Sequence, residues 1–327
     1  MSGAPGARTD GRIGVVLMAY GTPASPDDVE AYYTHIRRGR PPTPEQLANL
    51  QVRYDALGGT STLAARTADQ VATIGAALER LHPGRFVTAL GQKHAFPFVE
   101  DGVAALADQG VRSIIGVVLA PHYSRFSVGE YQARAAAAAT EAGIRAIALE
   151  RWHDLPEYRS FLAGAVAVGL RSMPPRTEVV FTAHSLPERV LDGDPYPTEL
   201  RASAEATAAL AKIRERGIID GPTSVDDARW SIAWQSAGAT PEPWRGPDIL
   251  DVIRERAANR EVAGILVCPQ GFVSDHLEVA YDLDIEAARI AADARIAFAR
   301  TRVLNDDAVV LDALAARIAS LAPVTSR

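Results

Sequence analysis

The run Gly14-Val15-Val16-Leu17-Met18-Ala19-Tyr20-Gly21-Thr22-Pro23, followed by Ser25-Pro26-Asp27-Asp28, decides the reading of the fold. A short apolar run with β-branched members, closed by glycine and proline, reads as a buried strand. Ser25 then offers an N-cap, Pro26 suits a first helical position, and the acids that follow suit a first turn, so a helix is expected from there towards Gly39 and the strand should end at Tyr20. The same strand-then-helix pattern recurs at residues 86–90, 113–119 and 146–149, with an alanine-rich helix over 133–142. A polar segment, 152–156, separates these from a second series at 178–182, 230–234, 264–267 and 296–299. Strands that alternate with helices belong to parallel sheets, and two such series predict two similar α/β halves.

The bulk properties agree with this outline. A chain of 327 residues exceeds what one ordinary core organises, and 47% hydrophobic with 23% charged residues is the composition of a globular protein. The net charge of -6 supplies no concentrated basic surface, which argues against a nucleic-acid partner. Residues 1–12 are small, polar and glycine-rich; they lack the apolar stretch of a secretory signal and read as a disordered tail over 1–11 of a cytoplasmic chain. Apolar stretches such as 114–120 fall far short of the roughly 20 residues that cross a bilayer, so no membrane insertion is expected. The single cysteine, Cys268, excludes an internal disulfide and cannot by itself hold zinc or an iron–sulfur cluster.

In open α/β sheets ligands bind in the crevice at the carboxyl ends of the strands, which places residues 19–23 at a site edge. No Gly-x-Gly-x-x-Gly or Walker lysine motif follows, which disfavours a nucleotide site and a nicotinamide-dependent oxidoreductase. Phe181-Thr182-Ala183-His184-Ser185-Leu186-Pro187 carries a histidine to the end of the second half's first strand. An acid/base or metal-binding imidazole suits that place; a structural histidine bonded to neighbouring backbone is the plainer alternative. His184-Ser185 adjacency makes no catalytic triad, because strand neighbours point to opposite faces.

Residues 274–286 read as a helix, on which Asp275, Glu278, Asp282 and Glu286 fall within an arc of roughly 80°. Such a stripe is either a solvated face or a set of hard oxygen ligands for a hydrated divalent cation. Arg37, Arg38 and Arg40 close the first helix, and Arg53-Tyr54 lie on the next, before Gly58-Gly59-Thr60-Ser61. They either complement helix dipoles or clamp a ligand with several carboxylates. Lys93-His94 and Pro121-His122-Tyr123 follow two strands of the first half. Trp234 and Trp244 either wall a flat apolar ligand or pack a core.

Together these segments resemble the ferrochelatase family from about Arg12 to about Ala322. The resemblance is carried by Met18-Ala19-Tyr20-Gly21-Thr22-Pro23, Tyr32-Tyr33-Thr34-His35-Ile36-Arg37-Arg38-Gly39-Arg40, Arg53-Tyr54, Gly58-Gly59 and Gly91-Gln92-Lys93-His94. It continues in Leu119-Ala120-Pro121-His122-Tyr123-Ser124, Ala183-His184-Ser185-Leu186-Pro187, Asp194-Pro195-Tyr196-Pro197, Trp234-Gln235-Ser236, Gly246-Pro247-Asp248 and Asp275-His276-Leu277-Glu278-Val279. The chain looks most like the soluble bacterial branch that uses coproporphyrin III. Thr62 departs from the pattern, standing after Ser61 where relatives usually have proline.

The resemblance implies two Rossmann-like domains, each a parallel β-sheet flanked by helices, with a porphyrin cleft between them. The first would span 12–151 plus a returning C-terminal helix, 305–327, and the second 152–304. His184 and Glu278 match the family's catalytic pair and its ferrous-iron ligands on one face of the macrocycle. Tyr20 matches a residue that approaches the metal axially from the other face. Arg37, Arg53, Ser61 and Tyr131 match propionate contacts, Lys93 and His94 lie near the cleft in relatives, and Asp282 and Glu286 match an outer site for a hydrated cation.

The activity so implied is a lyase reaction of haem biosynthesis, insertion of Fe2+ into coproporphyrin III to give coproheme. Iron is then a substrate, no cofactor is tightly bound, no [2Fe-2S] cluster is present, and the chain acts as a monomer. Pyrrole nitrogens must lose two protons and accept a dehydrated cation, and His184 would be a base poised near neutrality. Glu278 would pass protons outward or hand iron inward; the sequence leaves that division open. The alternatives are a protoporphyrin IX ferrochelatase, a cobalt chelatase of another tetrapyrrole, and a porphyrin or haem carrier that is not an enzyme.

Overall fold

The structure, a computed structural model, describes residues 11–215, 228–238, 240–260 and 262–323. The tail expected over 1–11 lies, but for Gly11, outside the described residues, as do residues 324–327 at the end of the expected C-terminal helix.

The first sheet is formed by β1 (Ile13–Ala19), β2 (Phe86–Gln92), β3 (Ser113–Val118) and β4 (Arg145–Leu149), all parallel, in the order β2-β1-β3-β4. The second holds β5 (Thr177–His184), β6 (Arg214–Glu215), β7 (Arg229–Gln235), β8 (Gly264–Cys268) and β9 (Ala297–Arg300), also parallel, in the order β6-β7-β5-β8-β9. All eight expected runs are strands, within two residues at each end. The two-residue β6 was not anticipated, and β1 stops at Ala19 instead of Tyr20. Every residue of β1 and of β8 is buried, which is why these strands read as continuous apolar runs and not as alternating ones.

The strand orders reverse at equivalent places. The chain moves from β1 outward to β2, then crosses back to β3 on the other side of β1; after β5 come β6 at the edge and β7 beside β5, then β8 on the other side of β5. Both reversals put a crevice at a strand's carboxyl end, beside Tyr20 in one half and His184 in the other.

In chain order the helices are α1 (Val29–Ile36), α2 (Pro44–Asp55), α3 (Leu63–Leu81), α4 (Val99–Ala107), α5 (Val128–Glu141), α6 (Pro156–Leu170), α7 (Glu188–Leu191), α8 (Tyr196–Ala211), α9 (Ile249–Ala258), α10 (Leu277–Ala280), α11 (Ala288–Asp293) and α12 (Ala308–Ser320). The start expected at Ser25 needs correction. Pro26–Asp28 form a 3-10 turn, α1 begins only at Val29, and the Ser25 hydroxyl donates to the Asp28 carboxylate (2.7 Å) and not to the helix backbone. By contrast Thr43 and Gln46 form a full capping box on α2.

One continuous apolar core joins the two halves. It runs from Val15 and Leu17 of β1 through Tyr158, Phe161, Leu162 and Val166 of α6 to Val179 and Phe181 of β5, and takes in Leu311, Leu314 and Ile318 of α12. Burial of each such side chain contributes on the order of 1.5–3 kcal/mol, so α6 and α12 bind the sheets into one body. The segment 152–156, expected as a polar separator, is part of this core: Trp152 is 1% exposed and donates its indole N–H to Val118 O (3.0 Å).

Candidate active site

His184 ends β5, and its surroundings hold it from both sides. Ser185 N donates to Gln235 O (2.8 Å) and Ser185 Oγ to Arg245 O (2.7 Å), which pins the backbone just past the strand. The imidazole Nδ1 meets the Ser185 carbonyl, leaving Nε2 directed at Glu278 Oε1, 3.4 Å away. The backbone contact of a structural histidine and an imidazole aimed at a carboxylate therefore coexist, the first orienting the second.

Glu278 arrives from β8 by a path that only glycine permits. Gly271 N donates to Thr182 O (3.0 Å), and a Cβ at Gly271 would stand 2.5 Å from the Cβ of Ala183, the neighbour of His184. His276 then caps α10, its Nδ1 accepting from Val279 N (3.3 Å). The Glu278 carbonyl accepts from Gln235 Nε2 (2.9 Å), and Gln235 Oε1 accepts from Thr182 Oγ1 (2.8 Å). Gly271 and Gln235, both bonded to Thr182 of β5, thus tie the segment that carries the glutamate to that strand.

The single carboxylate-bearing helix expected over 274–286 does not form. α10 lasts four residues, and Asp282–Ala287 make a π turn in which Glu286 N donates to Tyr281 O (2.9 Å), five residues back, before α11 resumes. Such wide turns are rare and gather at functional sites. The stripe is broken accordingly. Asp275 lies outside the helix and pairs with Arg300 (3.0 Å), Asp282 pairs with Arg53 and accepts from Ser236 Oγ (2.5 Å), and Glu286 is half-buried. Among the described residues no three His, Cys, Asp or Glu side chains gather as a metal cage, and Asp282, matched to an outer cation site, is held by Arg53.

On the facing side, the β1–β2 pairing continues past the strands: Lys93 N donates to Ala19 O and His94 N to Tyr20 O, both at 2.9 Å. Gly21 sits at a φ of +91°, with Ala95 N only 2.9 Å from where a Cβ would be. This close approach lays the Tyr20 and His94 rings 4.6 Å apart. His94 Nδ1 lies 3.0 Å from His35 Nδ1. Lys93 Nζ donates to Glu130 (2.5 Å) and stands 5.3 Å from the Tyr131 ring centre.

The other matched positions are engaged locally. Arg37 Nε donates to Arg40 O (3.2 Å) with its guanidinium 5.7 Å from the Tyr33 ring centre, and Ser61 Oγ accepts from Leu63 N (3.1 Å) at the start of α3. Arg53 is the one that crosses to the second half, lying 4.9 Å from the Tyr281 ring centre as it pairs with Asp282. His122 is buried at 2% exposure, stacked on His153 and bonded to Ser203 (2.8 Å), a structural role. Trp234, 4% exposed against Tyr196, belongs to a core and walls no ligand; Trp244 folds over Gly238 and donates to Thr240 Oγ1 (2.8 Å).

Electrostatics binds the two sides together. Burial disfavours a charged His184, but the Glu278 carboxylate beside it, the Ser185 carbonyl and Asp282 outweigh burial and lift its pKa to about 9. Burial works against a charged Glu278 as well, yet His184, His276 and Arg53 hold it down at about 2. Each group thus favours the charged form of the other, which moves His184 upward from the near-neutral base expected of it. Asp282 is pushed up to about 6 by burial in spite of Arg53. The Tyr20 phenol is raised first by burial and next by the charge of Glu278. Tyr20 is 44% open to solvent and lies near enough to Glu278 to feel its charge.

Three further phenols are raised first by burial: Tyr196 next by Glu278, Tyr54 by Glu278 against the lowering hydrogen bond from Thr22, and Tyr32 by Tyr20 and Tyr54 ahead of Glu278. None carries a role in the sequence reading, although all three sit in its motifs: Tyr32 opens Tyr32-Tyr33-Thr34-His35, Tyr54 closes Arg53-Tyr54, and Tyr196 lies in Asp194-Pro195-Tyr196-Pro197. Gln235, within Trp234-Gln235-Ser236, was passed over too. Cys268 is fully buried, and burial pushes its thiol up to about 12, which makes it inert.

A two-sided crevice at two strand reversals, with a phenol on one wall and an imidazole–carboxylate pair on the other, can be compared with known proteins. The family model described as Ferrochelatase matches residues 12–321. A coproporphyrin III ferrochelatase of Geobacillus kaustophilus is 40% identical over 309 residues, 92% of this chain and 93% of that protein. One from Geobacillus thermodenitrificans is 38% identical over 310 residues, 93% and 94% of the two chains. Among solved structures, SirB from Bacillus subtilis with Fe3+ shares the fold at a TM-score of 0.54 and 12% identity, covering 95% of this chain and 96% of that one. The chain belongs to the ferrochelatase family.

Proposed function

We propose that this chain inserts ferrous iron into coproporphyrin III to give coproheme, with the macrocycle lying in the gap between Tyr20 and the His184–Glu278 pair. The observation that carries the reading is that pair, 3.4 Å apart at the second strand reversal, facing Tyr20 at the first. The substrate named for the Geobacillus relatives, at 38–40% identity over nearly the full length, supports coproporphyrin III. The half-buried Lys93 and the arginines 37, 38, 40 and 53 supply cationic partners suited to a ligand with several carboxylates.

The chain's own groups define the proton path. Two pyrrole protons leave for each Fe2+ that enters, an exchange without net oxidation or reduction, so iron and porphyrin are substrates and no bound cofactor is needed. One cysteine cannot supply the thiolates of a [2Fe-2S] cluster. In the resting pair Glu278 is the free base, and His184 accepts a pyrrole proton only after giving up its own. A dication approaching the pair disfavours the imidazolium and so promotes that release. Bending of the ring, which exposes the nitrogen lone pairs, must draw on binding energy from the carboxylate contacts. Among the described residues no helix is long and apolar enough to cross a membrane.

Anaerobic spectrophotometric assays with Fe2+ and with Co2+, against coproporphyrin III, protoporphyrin IX and sirohydrochlorin, test the proposal. The highest kcat/KM is expected for Fe2+ with coproporphyrin III. Preference for protoporphyrin IX would correct the substrate, and preference for cobalt with sirohydrochlorin would overturn the assignment.

A further inference from the structure

We infer that Gln70, a buried amide on α3, is a positioning residue that sets the place of Glu278 across the cleft; the inference rests on the chelatase reading of the site. α3 belongs to the β1–β2 connection of the first sheet, and its buried residues are Thr67, Gln70, Ile74, Ala77 and Leu78. Gln70 is therefore a polar side chain on an otherwise largely apolar face, 1% exposed. An amide so placed is costly unless its hydrogens are used. Both are: Nε2 donates to Val273 O (3.1 Å) and to Asn305 O (2.8 Å).

Those two carbonyls bracket the segment that delivers Glu278. Val273 O also accepts from Asn305 N (2.8 Å), and Asn305, at a left-handed φ of +48°, turns its own amide onto Asp275. There its Oδ1 accepts from Asp275 N (2.9 Å) and its Nδ2 donates to Asp275 Oδ2 (2.8 Å). Nearer the start of α3, Thr62 Oγ1 donates to Asp275 O (2.9 Å). Residues 273–275, which lead into the His276 cap and Glu278, are thus strapped at successive points to a helix of the first half. Gln235 fixes Glu278 to its own sheet; the α3 strap fixes it relative to Tyr20, which directly follows β1.

The chemistry of the strap is specific. The amide NH2 serves two carbonyl acceptors at once without carrying a charge; a carboxylate would repel them, and an apolar side chain would leave the Asn305 carbonyl without this donor. The Gln70 Oε1 has no hydrogen-bond partner, so the amide is held by its two donors alone. Packing by itself would be met as well by methionine.

The test is therefore Gln70→Met beside the unsubstituted chain, reading kcat for iron insertion, coproporphyrin affinity by fluorescence quenching, and thermal unfolding. Displacement of a reacting group by an ångström costs up to about 100-fold, so kcat should fall about 10- to 100-fold while the porphyrin Kd changes less than about threefold. A second pair guards against poor folding: Thr62→Val, at an exposed end of the strap, should lower kcat by about two- to fivefold, and Thr62→Ser should restore it. Unchanged kcat in Gln70→Met overturns the inference alone, as does parallel loss of kcat, porphyrin affinity and stability. If Gln70→Met does not fold, equal kcat in Thr62→Val and Thr62→Ser overturns it. Absence of iron insertion by the unsubstituted chain overturns the chelatase reading and this inference with it.

Discussion

His184→Ala should lower iron insertion by about 10²- to 10⁴-fold, the range spanned by a positioned acid–base group, while porphyrin binding stays nearly intact. The side chain removed touches Glu278 and the Ser185 carbonyl and contributes little to the apolar core, so the fold survives its loss. The porphyrin keeps its other proposed contacts on the first-half wall, around Tyr20, Lys93 and Arg37. Glu278 loses the partner that chiefly opposes burial, and its pKa rises from about 2. Because the two groups act as a unit, the double variant His184→Ala with Glu278→Gln should be little worse than either single one. Insertion rates and fluorescence-quenching affinities measured side by side decide the matter. A porphyrin carrier needs no base, so full retention of function in His184→Ala would favour that role over an enzyme.

Glu278→Gln should move the His184 imidazole from about 9 to near or below its ordinary 6.5. Burial already pushes His184 down, and the carboxylate that overcomes it would be gone, leaving the Ser185 carbonyl and Asp282. The sign of the pH dependence follows. In the native pair, the stability due to the raised His184 is fully present below pH 6.5 and lost as pH rises through about 9. That due to the depressed Glu278 is present above pH 4.5 and lost as pH falls through about 2. The pair therefore stabilises the fold most between about pH 4.5 and 6.5, as one interaction counted once. Imidazole titration by NMR in the two proteins reads the shift directly. A His184 that still titrates near 9 in Glu278→Gln would show that Glu278 is not what holds its proton.

The strands were legible because burial on both faces writes itself as unbroken apolar runs, as in β1 and β8. β6 escaped because Arg214–Glu215 is an edge strand of two residues, too short for any periodicity in the sequence. Ser25 carried a true turn signature, yet its hydroxyl chose the nearby Asp28 carboxylate, a competition that composition does not rank. The acidic stripe failed for a different reason: helical spacing assumes about 3.6 residues per turn, and the π turn at Asp282–Ala287 changes that period where the cleft begins. The segment 152–156 reads as a polar separator between the two series, but its Trp152 and Leu155 are buried in the shared core.

The resemblance named His184 and Glu278, and the parallel pairing of β5 with β8 explains why residues so distant in sequence meet. Their protonation was not legible, since it depends on a 3.4 Å contact between different segments and on the burial of both. Arg53 was matched to a propionate and Asp282 to a cation, and no single-residue reading anticipated that they would pair with each other. Gln70 did leave a trace, a glutamine at helical spacing with Ile74, Ala77 and Leu78, which marks a polar group facing a core.

The central claim is that the macrocycle lies between the two walls, and a crystal structure of the chain with bound coproporphyrin III tests it most directly. The account predicts the ring with the Tyr20 phenol towards one face and His184 with Glu278 towards the other. A porphyrin bound outside that gap, or with all three groups on one face, would contradict it.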